Sequence, residues 1–476
     1  MWAHQEKLVQ EALPLPGYGL FLPPGTGKSR AMIEIIKRKS NERQRLLRTI
    51  IFAPPIVLSN WQSEWFKYTK IQRSKVTVLA GSGKKRLELF QERSGDIGHI
   101  FVTNYESLSM EPLYDAMMRW KPEALIFDEG HRLANPKAKR SKLADKLANK
   151  TTPRPLVYIL TGTPVMNDMM DIFQPFKIMD GGQTFGDNFF AFRAKYFRDK
   201  NAGMNKHNYF PNWVPLPSAA ADLSEKMKAK SMCVRKEDCL DLPPVVETIL
   251  PVEMDAEQAR IYKSMLKDYV AFLEQNGQNH AVMAQMAMTK GLRLMQIASG
   301  FVKTDEGLEL PATKEWTPKQ NALHDLLEGL AGRKVIIWCV FRYNYKQVRD
   351  VLTTLGRKYL ELNGEMGSKK NRENAALFES SDEHSCIIAH PESSGEGINL
   401  VSASEMISYS RDFSWRRWEQ CVARNYRGGS EIHDKITRYV LVAKGSIEER
   451  ITEMLLRKEE VSNEVLRQIT FQMGQV

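Results

Sequence analysis

No two cysteines in this chain form a CxxC pair: the five, Cys233, Cys239, Cys339, Cys386 and Cys421, lie far apart. That spacing argues against a zinc ribbon or a disulfide framework and fits a reducing, cytoplasmic setting. Also missing is any apolar stretch long enough for a membrane span. The opening residues, MWAHQEKLVQEALPLP, carry charge where a signal peptide would need an uninterrupted apolar core. There is no long repeat and no low-complexity segment, so nearly every residue is available for folded structure.

What is present is size and positive charge. At 476 residues the chain exceeds what one hydrophobic core usually organises, so two large lobes are expected. Its 68 Lys and Arg against 57 Asp and Glu leave a formal charge of +11, an excess that suits a polyanion such as nucleic acid.

Short apolar runs alternate with segments of helical period. YGLFL, TIIFAPP, VTVLA, HIFVTNY, EALIFDE and LVYILTG read as strands of one parallel sheet, and KVIIWCVF, KYLELNG, CIIAHP, EMISYS and TRYVLVA as strands of a second. The fold class is therefore α/β, with a first lobe over 1–180, helical insertions and a linker over 181–318, and a second lobe over 319–476. The closing stretch GSIEERITEMLLRKEEVSNEVLRQI has the period of an amphipathic helix that braces the second lobe.

The strand YGLFL runs into PPGTGKS and then into a periodic helix, the order that a phosphate-binding loop requires. Gly25 and Gly27 let backbone amides turn inward, Lys28 neutralises β/γ-phosphate oxygens and Ser29 ligates magnesium. Leu22 stands where the general loop pattern has glycine, so the loop is a shorter variant. ALIFDEGH then places Asp128 and Glu129 at a strand end, where carboxylates are costly unless a cation or substrate uses them. Asp128 is the candidate magnesium ligand, Glu129 the group that orients and deprotonates water, and His131 a relay to a neighbouring motif.

PPGTGKS, DEGH and LTGTP follow one another as in superfamily two helicases, and DEGH with RLANPKAKRSK resembles the Swi/Snf branch. The resemblance runs nearly end to end, although that branch usually has Met-Gly-Leu-Gly-Lys-Thr in its phosphate loop. It implies two RecA-like lobes in tandem, ATP and Mg2+ as cofactors, and a compact phage-like or bacterial enzyme that moves along duplex DNA. Gln5 would then contact adenine, and Pro24, Thr26, Arg30, Gly395, Glu396 and Gly397 would line the nucleotide. Thr161 and Thr163, with His131, would couple nucleotide state to nucleic acid. Ser59, Asn60, Trp61, Thr103, Asn104, Tyr105, Gly364, Ser393 and Ser394 would touch the nucleic-acid backbone. WEQCVARNYRGGS resembles motif VI, with Gln420, Arg424 and Arg427 in register. Helical spacing would set the two arginines side by side, facing the charge that develops on the γ-phosphate. Two other readings stay open at this level: an RNA-directed or single-strand helicase, and a nucleotide-gated clamp that does not move.

Overall fold

The computed structural model describes residues 1–23, 25–162, 169–202, 211–234, 242–275, 280–303, 309–312, 315–392 and 398–457. By internal contacts, the described residues up to 234 form one unit and those from 242 onward another.

In the first unit seven strands form one parallel sheet: β1 (Gly17–Phe21), β2 (Thr49–Phe52), β3 (Val76–Val78), β4 (Ile100–Thr103), β5 (Ala124–Asp128), β6 (Leu156–Thr161) and β7 (Ser231–Cys233), in the order β3-β4-β2-β5-β6-β1-β7. Both faces are buried, which is why the strands read as continuous apolar runs. Leu125 and Phe127 of β5 enter one core cluster with Ile50, Phe52, Val157 and Ile159. Ala124 and Ile126 point the other way, to Ile51, Tyr158 and Leu160. Each such Leu, Ile or Phe contributes about 1.5–3 kcal/mol by leaving water.

The second unit repeats the scheme with β8 (Val245–Val252), β9 (Val335–Trp338), β10 (Tyr359–Leu362), β11 (Cys386–Ala389), β12 (Glu405–Ser408) and β13 (Ile436–Ala443), all parallel in the order β8-β13-β12-β9-β11-β10. Val335, Ile337 and Ile388 pack to one side of this sheet. Ile336, Trp338 and Ile387 pack to the other. The α/β class and both parallel sheets are as the sequence implies.

The segment 181–318, expected as insertions and linker, is divided between the units and supplies a strand to each sheet, β7 and β8. Of the closing amphipathic stretch, residues 447–457 are helical, and 458–476 lie outside the described residues. A buried ion pair, Lys319 Nζ to Glu448 at 2.7 Å, fastens the start of that helix to the helix Pro318–Gly329. Among the described residues no helix is long and apolar enough to cross a membrane.

Candidate functional site

Parallel strands deliver their loops to the carboxyl edge of the sheet, and ligands of open α/β sheets bind at that edge. In the first unit β1 leads into the glycine loop, and helix α2 (Lys28–Glu42) begins directly after it. Gly25 and Gly27 have φ of 90° and 82°, a left-handed backbone that costs glycine nothing. Gly27 is required for a second reason: a Cβ there would stand 2.0 Å from Gln5 Nε2. The loop is thus moulded against the first helix, α1 (Ala3–Ala12). Gln5 is buried, its Nε2 donating to Thr26 O at 3.2 Å and its Oε1 accepting from the Trp2 amide at 2.9 Å. Both ends of the amide expected at the adenine therefore hold protein backbone. The Lys28 ammonium reaches back to Leu22 O at 2.7 Å, within the loop. Arg30 lies over the Tyr68 ring, 4.6 Å from its centroid. Pro24 and Thr163 fall outside the described residues.

The paired carboxylates stand at the end of β5. Asp128 is buried; its Oδ1 accepts from the Glu129 amide at 3.0 Å and its Oδ2 from Trp61 Nε1 at 2.8 Å. Burial, and then the adjacent Glu129 carboxylate, push the Asp128 carboxyl up to about 6, against the opposing pull of Lys28 and the Trp61 N–H. Such an environment favours a cation, because a buried anion beside a like charge is poorly compensated. Glu129 has φ 53°, which costs a side-chain-bearing residue about 1–2 kcal/mol. No side chain fits at Gly130, where a Cβ would sit 2.6 Å from Ile159 Cγ2. His131 Nδ1 lies 3.1 Å from Glu129 Oε2 and 3.0 Å from Thr161 Oγ1, so one imidazole joins the acidic pair to the end of β6.

Three residues expected to touch nucleic acid have side chains turned into the unit. Trp61 holds Asp128, Thr103 Oγ1 bonds Ser107 Oγ at 2.7 Å, and Tyr105 OH donates to Asp128 O at 2.7 Å. All three are at most 3% exposed and present no contact surface; Trp61 and Tyr105 position the acidic strand end, and Thr103 ties β4 to Ser107. Ser59 and Asn60 are partly exposed at the start of the helix Leu58–Tyr68. Asn104 is buried, its Oδ1 accepting from Arg86 Nη1 at 2.6 Å. Sequence reasoning missed Trp61 and Tyr105 as supports of the acidic pair.

In the second unit the helix Trp415–Val422 ends before either arginine, so helical spacing is not what relates Arg424 to Arg427. Both lie on the turns that follow. Arg424 is buried, with Nη1 3.4 Å from Ile398 O and its own carbonyl accepting from the Leu400 amide at 3.0 Å. Arg427 and Gln420 are partly exposed. Trp418 is a core anchor, with the Arg411 guanidinium 3.6 Å above its ring. Ser393, Ser394, Gly395, Glu396 and Gly397 lie outside the described residues. Gly364 lines a hollow of about 450 Å³ at the carboxyl ends of β9, β10 and β11, with Arg342, Arg349 and His390.

Residues 20–299 match the family described as SNF2-related domain, and residues 318–429 match the helicase conserved C-terminal domain. The chain is 23% identical over 91% of its length to the CHD3-type chromatin-remodeling factor PICKLE of Arabidopsis thaliana, and spans 32% of that protein. It is 22% identical to protein p41 of Acyrthosiphon pisum secondary endosymbiont phage 1, with 97% of each covered. A solved SWI2/SNF2 ATPase core from Sulfolobus solfataricus, in complex with dsDNA, aligns over 98% of this chain and 96% of its own at 21% identity and a TM-score of 0.43. The SNF2-related match alone covers more than half of the sequence, and the chain belongs to that family, the Swi/Snf ATPases of superfamily two.

Proposed function

We propose that this chain is a DNA-dependent ATPase that couples hydrolysis of Mg-ATP to movement along duplex DNA. The observation that carries the reading is the buried Asp128 with Glu129 beside it, at the carboxyl edge of a parallel sheet that also presents a glycine loop and Lys28.

The loop amides from Gly25 to Gly27, with the half charge of the α2 N-terminus, receive the phosphates, and Lys28 exchanges the Leu22 carbonyl for phosphate oxygen. Ser29 and Asp128 are the residues that would hold magnesium, which supplies positive charge against the β/γ oxygens. Glu129 orients water and takes its proton. Gln5 reads the nucleotide through the loop it grips, and His131 with Thr161 passes the state of Glu129 to β6. During turnover Arg427, supported by Gln420, brings guanidinium charge to the γ-phosphate, and the buried Arg424 holds the Ile398 carbonyl. Ser59, Asn60 and the Asn104–Arg86 pair in the first unit, and Gly364 with Arg342 in the second, follow the phosphate backbone without reading sequence.

The family match and a relative named for chromatin remodelling favour duplex DNA over RNA. Displacement of a third strand from a DNA triplex tests movement. ATP-dependent displacement is the expected result; tight duplex binding with no displacement would leave a clamp, and stimulation of ATP turnover by RNA or single strands alone would move the chain to another branch.

A further inference from the structure

An open cleft of about 970 Å³ lies on the first unit, lined by Lys37, Ser40, Asn41, Gln44, Arg45, Leu46, and by Trp65 and the residues from Lys67 to Ile71. It sits at the C-terminal ends of α2 and of the helix Leu58–Tyr68, beside the start of β2. The glycine loop is at the other end of α2, about 20 Å away at 1.5 Å per residue. The cleft therefore opens at the opposite end of α2 from the glycine loop, and Tyr68, whose ring lies under Arg30, is the lining residue nearest the nucleotide edge.

Four cations line it and no carboxylate does. Lys37 pairs with Glu34, and Arg45 shares Glu123 with Arg43 and Arg48, so three guanidinium groups face one acid. Among the described residues Lys67 and Lys70 have no ion-pair partner, and both are exposed. Two helix C-termini point here, each worth about half a negative charge, so the cations outweigh them and also exceed what helix capping would need. Trp65 is 1% exposed and lines the cleft, and among the described residues its indole N–H has no hydrogen-bond partner. Asn41 and Gln44 add amide donors at the rim.

We propose that this cleft is a second polynucleotide-binding surface, which takes the phosphate backbone of nucleic acid apart from the strand engaged at the sheet's carboxyl edge. Lining by cations and amide donors matches phosphate oxygens, which only accept. An acidic peptide of a partner protein is recognised by a cluster of arginines. Here the one arginine that lines the cleft among the described residues, Arg45, is already paired with Glu123.

The test uses the full chain, without nucleotide, and a fluorescein-labelled random duplex of about 30 base pairs titrated at several salt concentrations. Run without nucleotide, it reads the cleft whether or not the chain is a motor. Wild type is compared with the double variant Lys67→Ala/Lys70→Ala. Loss of two phosphate contacts makes the slope of log K against log salt shallower by about 2, while ATP turnover at saturating DNA is unchanged. An unchanged slope overturns the proposal, and so does an unchanged slope with loss of binding to a poly-glutamate peptide, which would assign the cleft to an acidic protein.

Discussion

Trp61 and Asp128 stand 67 positions apart in sequence and are joined in the first unit by an indole N–H that donates to Oδ2 at 2.8 Å, with both side chains buried. The bond explains how a carboxylate survives at the end of an apolar strand, since buried anions need donors or cations. Trp61→Phe keeps the ring and deletes the donor. The variant is expected to need about tenfold more Mg2+ for half-maximal ATP turnover, in line with the loss of a ligand-orienting partner, while its circular dichroism stays that of wild type. An unchanged Mg2+ profile would deny the bond this role.

Gly27 carries two constraints, a φ of 82° and the Gln5 amide where a Cβ would go. Gly27→Ala should lower affinity for a fluorescent ATP analogue at least tenfold, since about 1–2 kcal/mol of backbone strain adds to the clash. Adding Gln5→Ala removes the clash and leaves the strain, so the double variant should recover part of the affinity. Equal affinities for single and double variants would show that the contact is immaterial.

Thr161→Val replaces a hydroxyl with a methyl group of similar shape and cuts the link from His131 to β6. Nucleotide affinity should hold, and the ratio of DNA-stimulated to basal ATP turnover should fall about tenfold if the link couples the two. A preserved ratio measured with and without duplex DNA would remove His131 and Thr161 from the coupling path.

The elements a sequence reveals are those whose causes are local. All eleven apolar runs became strands, nine of them buried on both faces, as with Ile50 and Ile51 on opposite sides of β2, and two, β3 and β10, half-buried at the sheet edges. β7 is only Ser-Met-Cys, and β8 is a half-exposed edge strand behind a Pro-Pro pair, so neither has the pattern of a buried strand. The phosphate loop and acidic pair were legible because their spacing is set within one turn. The Trp61–Asp128 bond is a long-range pairing with no local signal, and Trp61 next to Ser59 and Asn60 reads as a surface residue. Likewise nothing in VARNYRGGS marks the helix end at Val422, so Arg424 and Arg427 look helical when they lie on turns.

His99 gives the first unit a pH limit. Its ring is fully buried against Phe101, with Nε2 2.9 Å from Thr77 Oγ1. Burial pushes the imidazole down to about 4, against the opposing Asp96 carboxylate. Below pH 6.5 the unfolded chain takes up a proton that the folded chain refuses, so stability is full above 6.5 and is lost as pH falls toward 4, by about 2 kcal/mol at pH 5. Thermal unfolding at pH 7 and pH 5 should show a smaller drop for His99→Gln than for wild type. Equal drops would place the acid sensitivity elsewhere, for example at Glu123, whose burial is outweighed by Arg45 and the Arg48 amide, so that its carboxyl lies at about 2 and its contribution fades only below pH 4.5.

The most direct measurement is ATP turnover by Glu129→Gln with saturating duplex DNA, read beside nucleotide binding. The substitution keeps size and hydrogen bonding and removes the base, so ATP should bind as in wild type while turnover drops by 10²–10⁴-fold, roughly the range for a general base. Turnover within a few-fold of wild type, with binding intact, would contradict the assignment of the acidic strand end to ATP hydrolysis.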